Sequence, residues 1–117
     1  MEVVERNGKT IALFDTSTRI EQASDMLDLM ATTWYQGHCV GMVMEKDSLP
    51  KDFFTLSSGV AGEILQKFSN YQFKIAIVGD FSSYGSKSLQ SFIYECNKGN
   101  SVVFVPTVEE GLDRLTR

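Results

Sequence analysis

The run FKIAIV at residues 73–78 is short, rich in β-branched residues and almost wholly apolar. A strand wetted on one side alternates apolar and polar residues. A strand of this composition is covered on both faces, as in a parallel sheet flanked by helices. The run therefore predicts an inner parallel strand. A parallel neighbour is reached only through a long crossover, usually a helix.

Both flanks supply such crossovers. Downstream, GDFSSYGSKS (79–88) leads into a helix through Leu89, Phe92, Ile93 and Cys96, with Asn97-Lys98-Gly99 as its exit. Val102–Val105 reads as the last strand, and Thr107 with Glu110 forms a capping box that opens the last helix. Upstream, Val60, Ala61, Ile64, Leu65 and Phe68 share one face of a helix predicted from Ser58 to Asn70. Ahead of it, the connection Glu45–Thr55 contains Pro50 and the pair Phe53-Phe54, which folds back onto the core. Cys39–Met44 is a second inner strand.

Nearer the start, a Thr18/Glu21 capping box opens a helix whose stripe is Ile20, Ala23, Leu27, Met30, Ala31 and Trp34, ending at Gly37. Trp34-Tyr35 and Phe53-Phe54 are assigned to the core. Phe81 and Tyr84, in an otherwise polar loop, are the expected exposed aromatics. Val3–Val4, Asn7-Gly8 and Thr10–Phe14 form a hairpin signal. The order β-β-α-β-α-β-α-β-α predicts one α/β domain over residues 1–117. Its mixed five-stranded sheet is antiparallel at the hairpin and parallel afterwards, with about four helices.

Composition narrows the partners. The 117 residues carry a net charge of −4, from 15 acids against 11 bases, with no basic stripe. Phosphate backbones require such a stripe, so nucleic acid is not an expected partner. No apolar run approaches the roughly 20 residues that span a bilayer. The N-terminal MEVVERNGK has no apolar stretch behind it and is not a leader, so the expectation is a cytoplasmic chain with no membrane partner. Cys39 and Cys96 are isolated thiols, expected to be reduced.

Three clusters are candidate sites. In TLSSGVAGEILQKF (55–68), Ser57 and Ser58 stand at a helix mouth. There a serine caps the helix, or a phosphate on it meets free amides and the positive end of the helix dipole. The loop after FKIAIV offers Gly79, Asp80, Phe81, Ser82, Ser83, Tyr84, Gly85, Ser86, Lys87 and Ser88. It lies after a strand and before a helix, where open α/β sheets bind ligands. It reads as a site for a phosphate, another anion or a partner, or as a solvated loop in which Ser86 caps the next helix. It is not a Walker A loop, because five residues separate its glycines and Ser86 separates Gly85 from Lys87.

Asp15, Asp47 and Asp80 follow three strands and read as turn acids or, at one sheet edge, as ligands to a hard cation. His38 is the only histidine, which excludes a multi-histidine metal site, and it reads as a helix–strand connector. No catalytic set, metal site or cofactor motif is present, and the balance is against an enzyme.

The element order, with Ser57-Ser58-Gly59 opening the helix after the third strand and FVPTVEEGLDRL at the end, resembles the STAS domain of anti-sigma factor antagonists. That resemblance implies a regulatory interaction module. A partner kinase would phosphorylate Ser57, where Leu56 replaces the aspartate usual in the antagonists. The segments FFTLSSGVAGEILQKFSNY, IAIVGDFS and SKSLQSFIYECN are similar to a family of uncharacterised small bacterial proteins, which implies no activity. The expected function is a non-catalytic, monomeric or homodimeric binding module. The alternative is a binder of phosphate or another anion, or a weak enzyme, using Gly79–Ser88.

Overall fold

Asn7 and Gly8 both take positive φ, 52° and 76°, the left-handed turn that joins two antiparallel strands without splaying them. They link β1 (Glu2–Arg6) to β2 (Lys9–Leu13). The chain is described from Met1 to Arg117 by a computed structural model. After the hairpin come β3 (Gly41–Glu45), β4 (Lys74–Val78) and β5 (Val102–Val105), each parallel to its predecessor. The five strands lie in sequence order, β1-β2-β3-β4-β5.

Sequential order with right-handed crossovers places every connecting helix on the same face. Those helices are α1 (Ala23–Gly37), α2 (Val60–Asn70) and α3 (Lys87–Cys96). Alternation along β3 and β4 divides the core accordingly. Met42, Met44, Ile75 and Ile77 face the three helices and join Met26, Ile64, Phe68 and Leu89 in the larger cluster. Val43, Ala76 and Val78 face the other way, beneath Leu112 and Leu115 of α4 (Val108–Leu115). A Cβ on Gly111 would sit 3.0 Å from that of Ala76, so α4 approaches β4 too closely for a side chain there. No helix is long and apolar enough to cross a membrane.

Four local expectations need correction. α1 begins at Ala23 rather than at a Thr18 cap. The amide of Ile20 donates to the Ser48 carbonyl at 2.7 Å, so this stretch is tied to the loop after β3. The helix starts where the Asp25 carboxylate accepts from the amides of Glu21 and Gln22, at 3.0 and 3.1 Å. Its buried stripe is Ala23, Met26, Met30 and Thr33; Trp34 and Tyr35 follow Thr33 by one and two residues, turned about 100° and 200° from it around the helix axis. Those two aromatics are 56% and 88% exposed, not core. β3 begins at Gly41 rather than Cys39, because His38 takes a left-handed conformation (φ 51°) that breaks the chain direction. α2 begins at Val60, since Leu56–Ser58 forms a 3₁₀ turn and Gly59 is left-handed (φ 80°).

Candidate functional site

Four parallel strands end at one edge of the sheet, which therefore gathers the loops after Leu13, Glu45, Val78 and Val105. Open α/β sheets bind ligands at this carboxyl edge. His38 precedes β3 and so lies at the opposite edge, exposed and packed edge-on against Trp34 with ring centroids 4.9 Å apart.

The loops after β2 and β4 are built alike. In each, an aspartate two residues ahead of a serine accepts that serine's amide: Asp15 from Ser17 and Asp80 from Ser82, both at 2.9 Å. The serine hydroxyls donate to the same oxygens. The hydroxyl bond and then the amide bond hold both carboxyls below the ordinary carboxylate range, and the Lys46 charge adds a smaller pull on Asp80. These carboxylates close their own turns. Asp47 sits at the same edge, yet no group of three or more His, Cys, Asp or Glu is placed to hold a metal ion.

The Gly79–Ser88 loop is held from behind. Gln90 of α3 donates to the carbonyls of Phe81 and Tyr84, at 2.7 and 3.0 Å. The Ser86 hydroxyl accepts from the Leu89 amide at 3.2 Å, which is the expected cap. Phe81 and Tyr84 are half-buried rather than freely exposed. Tyr84 stacks on Phe54 with centroids 5.2 Å apart, and Phe81 meets Phe104 edge-on at 5.3 Å. Their rings enter the aromatic layer under the edge, which removes apolar surface from water. Ser82 is spent on its turn, Ser86 on its helix, and Ser83, Lys87 and Ser88 stay exposed on the surface.

The helix mouth separates its two serines. Ser58 donates to the Asp52 carbonyl at 2.7 Å and accepts from the Val60 amide at 3.2 Å. Ser57 is exposed, and neither of those bonds uses its hydroxyl. Gly59 meets nothing within 4 Å of where a Cβ would be, so its role is the left-handed turn and not close packing.

The residues the sequence did not single out lie between these loops. Lys46 leaves β3 and runs its stem across Gly79, where a Cβ would collide with the Lys46 Cδ and Cγ. Its Nζ reaches the Tyr84 hydroxyl at 3.4 Å and lies 5.3 Å from that ring's centroid. Arg19 donates to the Asp47 carbonyl at 3.2 Å, and Lys51 opens the following 3₁₀ turn. Together Arg19, Lys46, Lys51, Asp47, Phe54 and Tyr84 line a cleft of about 570 Å³. The available signal was that Lys46 and Lys51 fall in the connection after a predicted strand, and Arg19 at the first position of a predicted helix that follows another. A second concavity of about 490 Å³ is lined by hydrophobic residues alone: Leu27, Met30, Ala31, Trp34, Tyr71 and Phe73.

The surroundings of the two thiols work against a nucleophile. Both cysteines are free, and burial pushes the thiols of Cys39 and Cys96 up, which disfavours the reactive thiolate; Glu95 adds to the effect at Cys96.

The chain belongs to the family described as domain of unknown function DUF4180, whose model matches residues 5–115. No curated protein and no solved structure matches it.

Proposed function

We propose, on the premise of a family that brings no activity with it, that the protein is a non-catalytic regulatory module. It binds a partner protein at the carboxyl edge of its sheet and is switched by phosphorylation, as the resemblance to anti-sigma factor antagonists implies. The observation that carries this reading is the division of labour at the helix mouth. Ser58 is committed to the turn by two hydrogen bonds, whereas Ser57 presents an exposed hydroxyl. A phosphoacceptor must be reachable, and its modification should not dismantle the fold that displays it. Ser57 meets both conditions.

The chemistry of the edge also favours binding over transformation. Its two turn carboxylates are occupied by serine donors, burial pushes both of the chain's thiols up and disfavours the thiolate, and the histidine is at the far edge. A general base needs a titratable group within hydrogen-bond reach of a reacting proton; Asp15 and Asp80 are engaged by serines, and Asp47, 74% exposed, is turned to solvent. A phosphate on Ser57 would add about −1.5 to −2 charge to a chain of net charge −4. That changes the surface a partner meets.

The test is incubation of the folded protein with ATP and an extract of its source cells, followed by phosphosite mapping. Modification is expected at Ser57, lost in Ser57→Ala and retained in Ser58→Ala. A protein that stays unmodified, or carries phosphate equally in Ser57→Ala, contradicts the switch.

A further inference from the structure

The structure assigns the cleft between Arg19, Lys46 and Lys51 as a binding site for a small phosphate-bearing molecule, a role that does not rest on Ser57. Its charge is the first reason. Three bases converge there against one lining acid, Asp47, in a chain whose net charge is −4, and the further carboxylate that feels the Lys46 charge, Asp80, is turned onto Ser82. Asp47 does little to neutralise them: its carboxylate is 3.9 Å from Lys46 Nζ and its side chain is 74% exposed. The surplus of cations is local and opposes the charge of the whole chain. Clefts lined by one sign of charge concentrate counter-ions of the other.

Placement is the second reason. Lys46 is no free surface lysine, for its side chain is only 27% exposed. Its stem crosses Gly79 and its ammonium is set beside the Tyr84 hydroxyl and over the Tyr84 ring. Arg19 is tethered by its bond to the Asp47 carbonyl. Side chains held this way give up less conformational freedom when they bind, which is where affinity is usually lost. The cleft of about 570 Å³ falls within the range of small-molecule sites. Its floor is the stacked pair Phe54 and Tyr84, which suits an organic group beside the phosphate.

Guanidinium and ammonium groups divide the work. Arg offers a planar fork to two oxygens at once, and Lys acts as a compact point charge. The Gly79–Ser88 loop, the site expected from sequence, contributes Tyr84 and the small size of Gly79. Lys87 takes no part in the cleft.

Calorimetric titration with inorganic phosphate and with adenosine monophosphate, at low ionic strength, tests the assignment. Saturable binding of either is expected, with salt weakening it; binding of the nucleotide alone also supports the site and places the organic group on the aromatic floor. Lys46→Met keeps the aliphatic stem and removes the charge. It should weaken binding by about tenfold or more, the loss of one charge-assisted bond. Arg19→Gln, at an exposed position, should weaken it as well, and a circular-dichroism melt matching the parent protein's shows that each variant is folded. Lys87→Ala should bind like the parent. No saturable binding of either probe, or an affinity that falls in Lys87→Ala and not in Lys46→Met and Arg19→Gln, overturns the assignment. Phosphosite mapping at Ser57 reads a separate property, so either proposal can fail alone.

Discussion

Two connections at the carboxyl edge, 46–54 and 79–88, reverse the roles their compositions suggest. The second is rich in glycines and hydroxyls, looks like a ligand loop, and is closed on itself. Asp80 turns onto Ser82, Ser86 caps α3, and Phe81 and Tyr84 are buried in part. The first has no such cluster and reads only as a connection that folds Phe53 and Phe54 back. It packs Phe53 and Phe54 into the core and sends Lys46 and Lys51 into a cleft. Donor count does not make a site. What matters is whether the donors are left free once the loop has satisfied itself.

The largest way to break that comparison is Phe53→Ala. Phe53 is fully buried in the larger cluster, and truncating such a ring costs about 3–5 kcal/mol. A denaturant midpoint near the parent's would mean that the 46–54 connection is not anchored as described. Smaller is Gly59→Ala, which forces a Cβ into the left-handed region (φ 80°) and should destabilise by about 1–2 kcal/mol. A neutral result would mean that the turn ahead of α2 relaxes freely.

Within the 79–88 loop the effects shrink. Ser86→Ala removes the acceptor for the Leu89 amide and should cost about 1 kcal/mol in thermal unfolding. Ser82→Ala acts on pH dependence. Because Ser82 lowers the folded-state pKa of Asp80, the interaction stabilises fully above the ordinary carboxylate range. It fades as pH falls through the lowered pKa. The variant should lose that contribution at neutral pH and match the parent's stability more closely at the lowest pH. A stability difference that instead grows towards acid pH contradicts the assigned bond.

The sheet was legible because its signals were strong and local. FKIAIV could only be an inner strand, Asn7-Gly8 could only turn tightly, and Thr107 caps α4 through the Glu110 amide as expected. α1 was read one turn too early because Thr18 and Glu21 satisfy a capping pattern, whereas the Ile20 amide between them is taken by the Ser48 carbonyl after β3, a contact between distant residues that no local pattern reveals. Trp34 was assigned inward because its spacing fits a helical stripe. The buried stripe is set instead by Met26, Met30 and Thr33. Lys46 was invisible as a site residue for a similar reason: its placement depends on a glycine in the neighbouring strand's loop.

The most direct measurement is an amide chemical-shift map of the ¹⁵N-labelled protein during titration with inorganic phosphate. The account predicts saturable shifts concentrated at Arg19–Ile20, Lys46–Phe54 and Tyr84, with Lys87 and Ser88 nearly still. Shifts centred on Lys87, or on the far edge around His38, would contradict it.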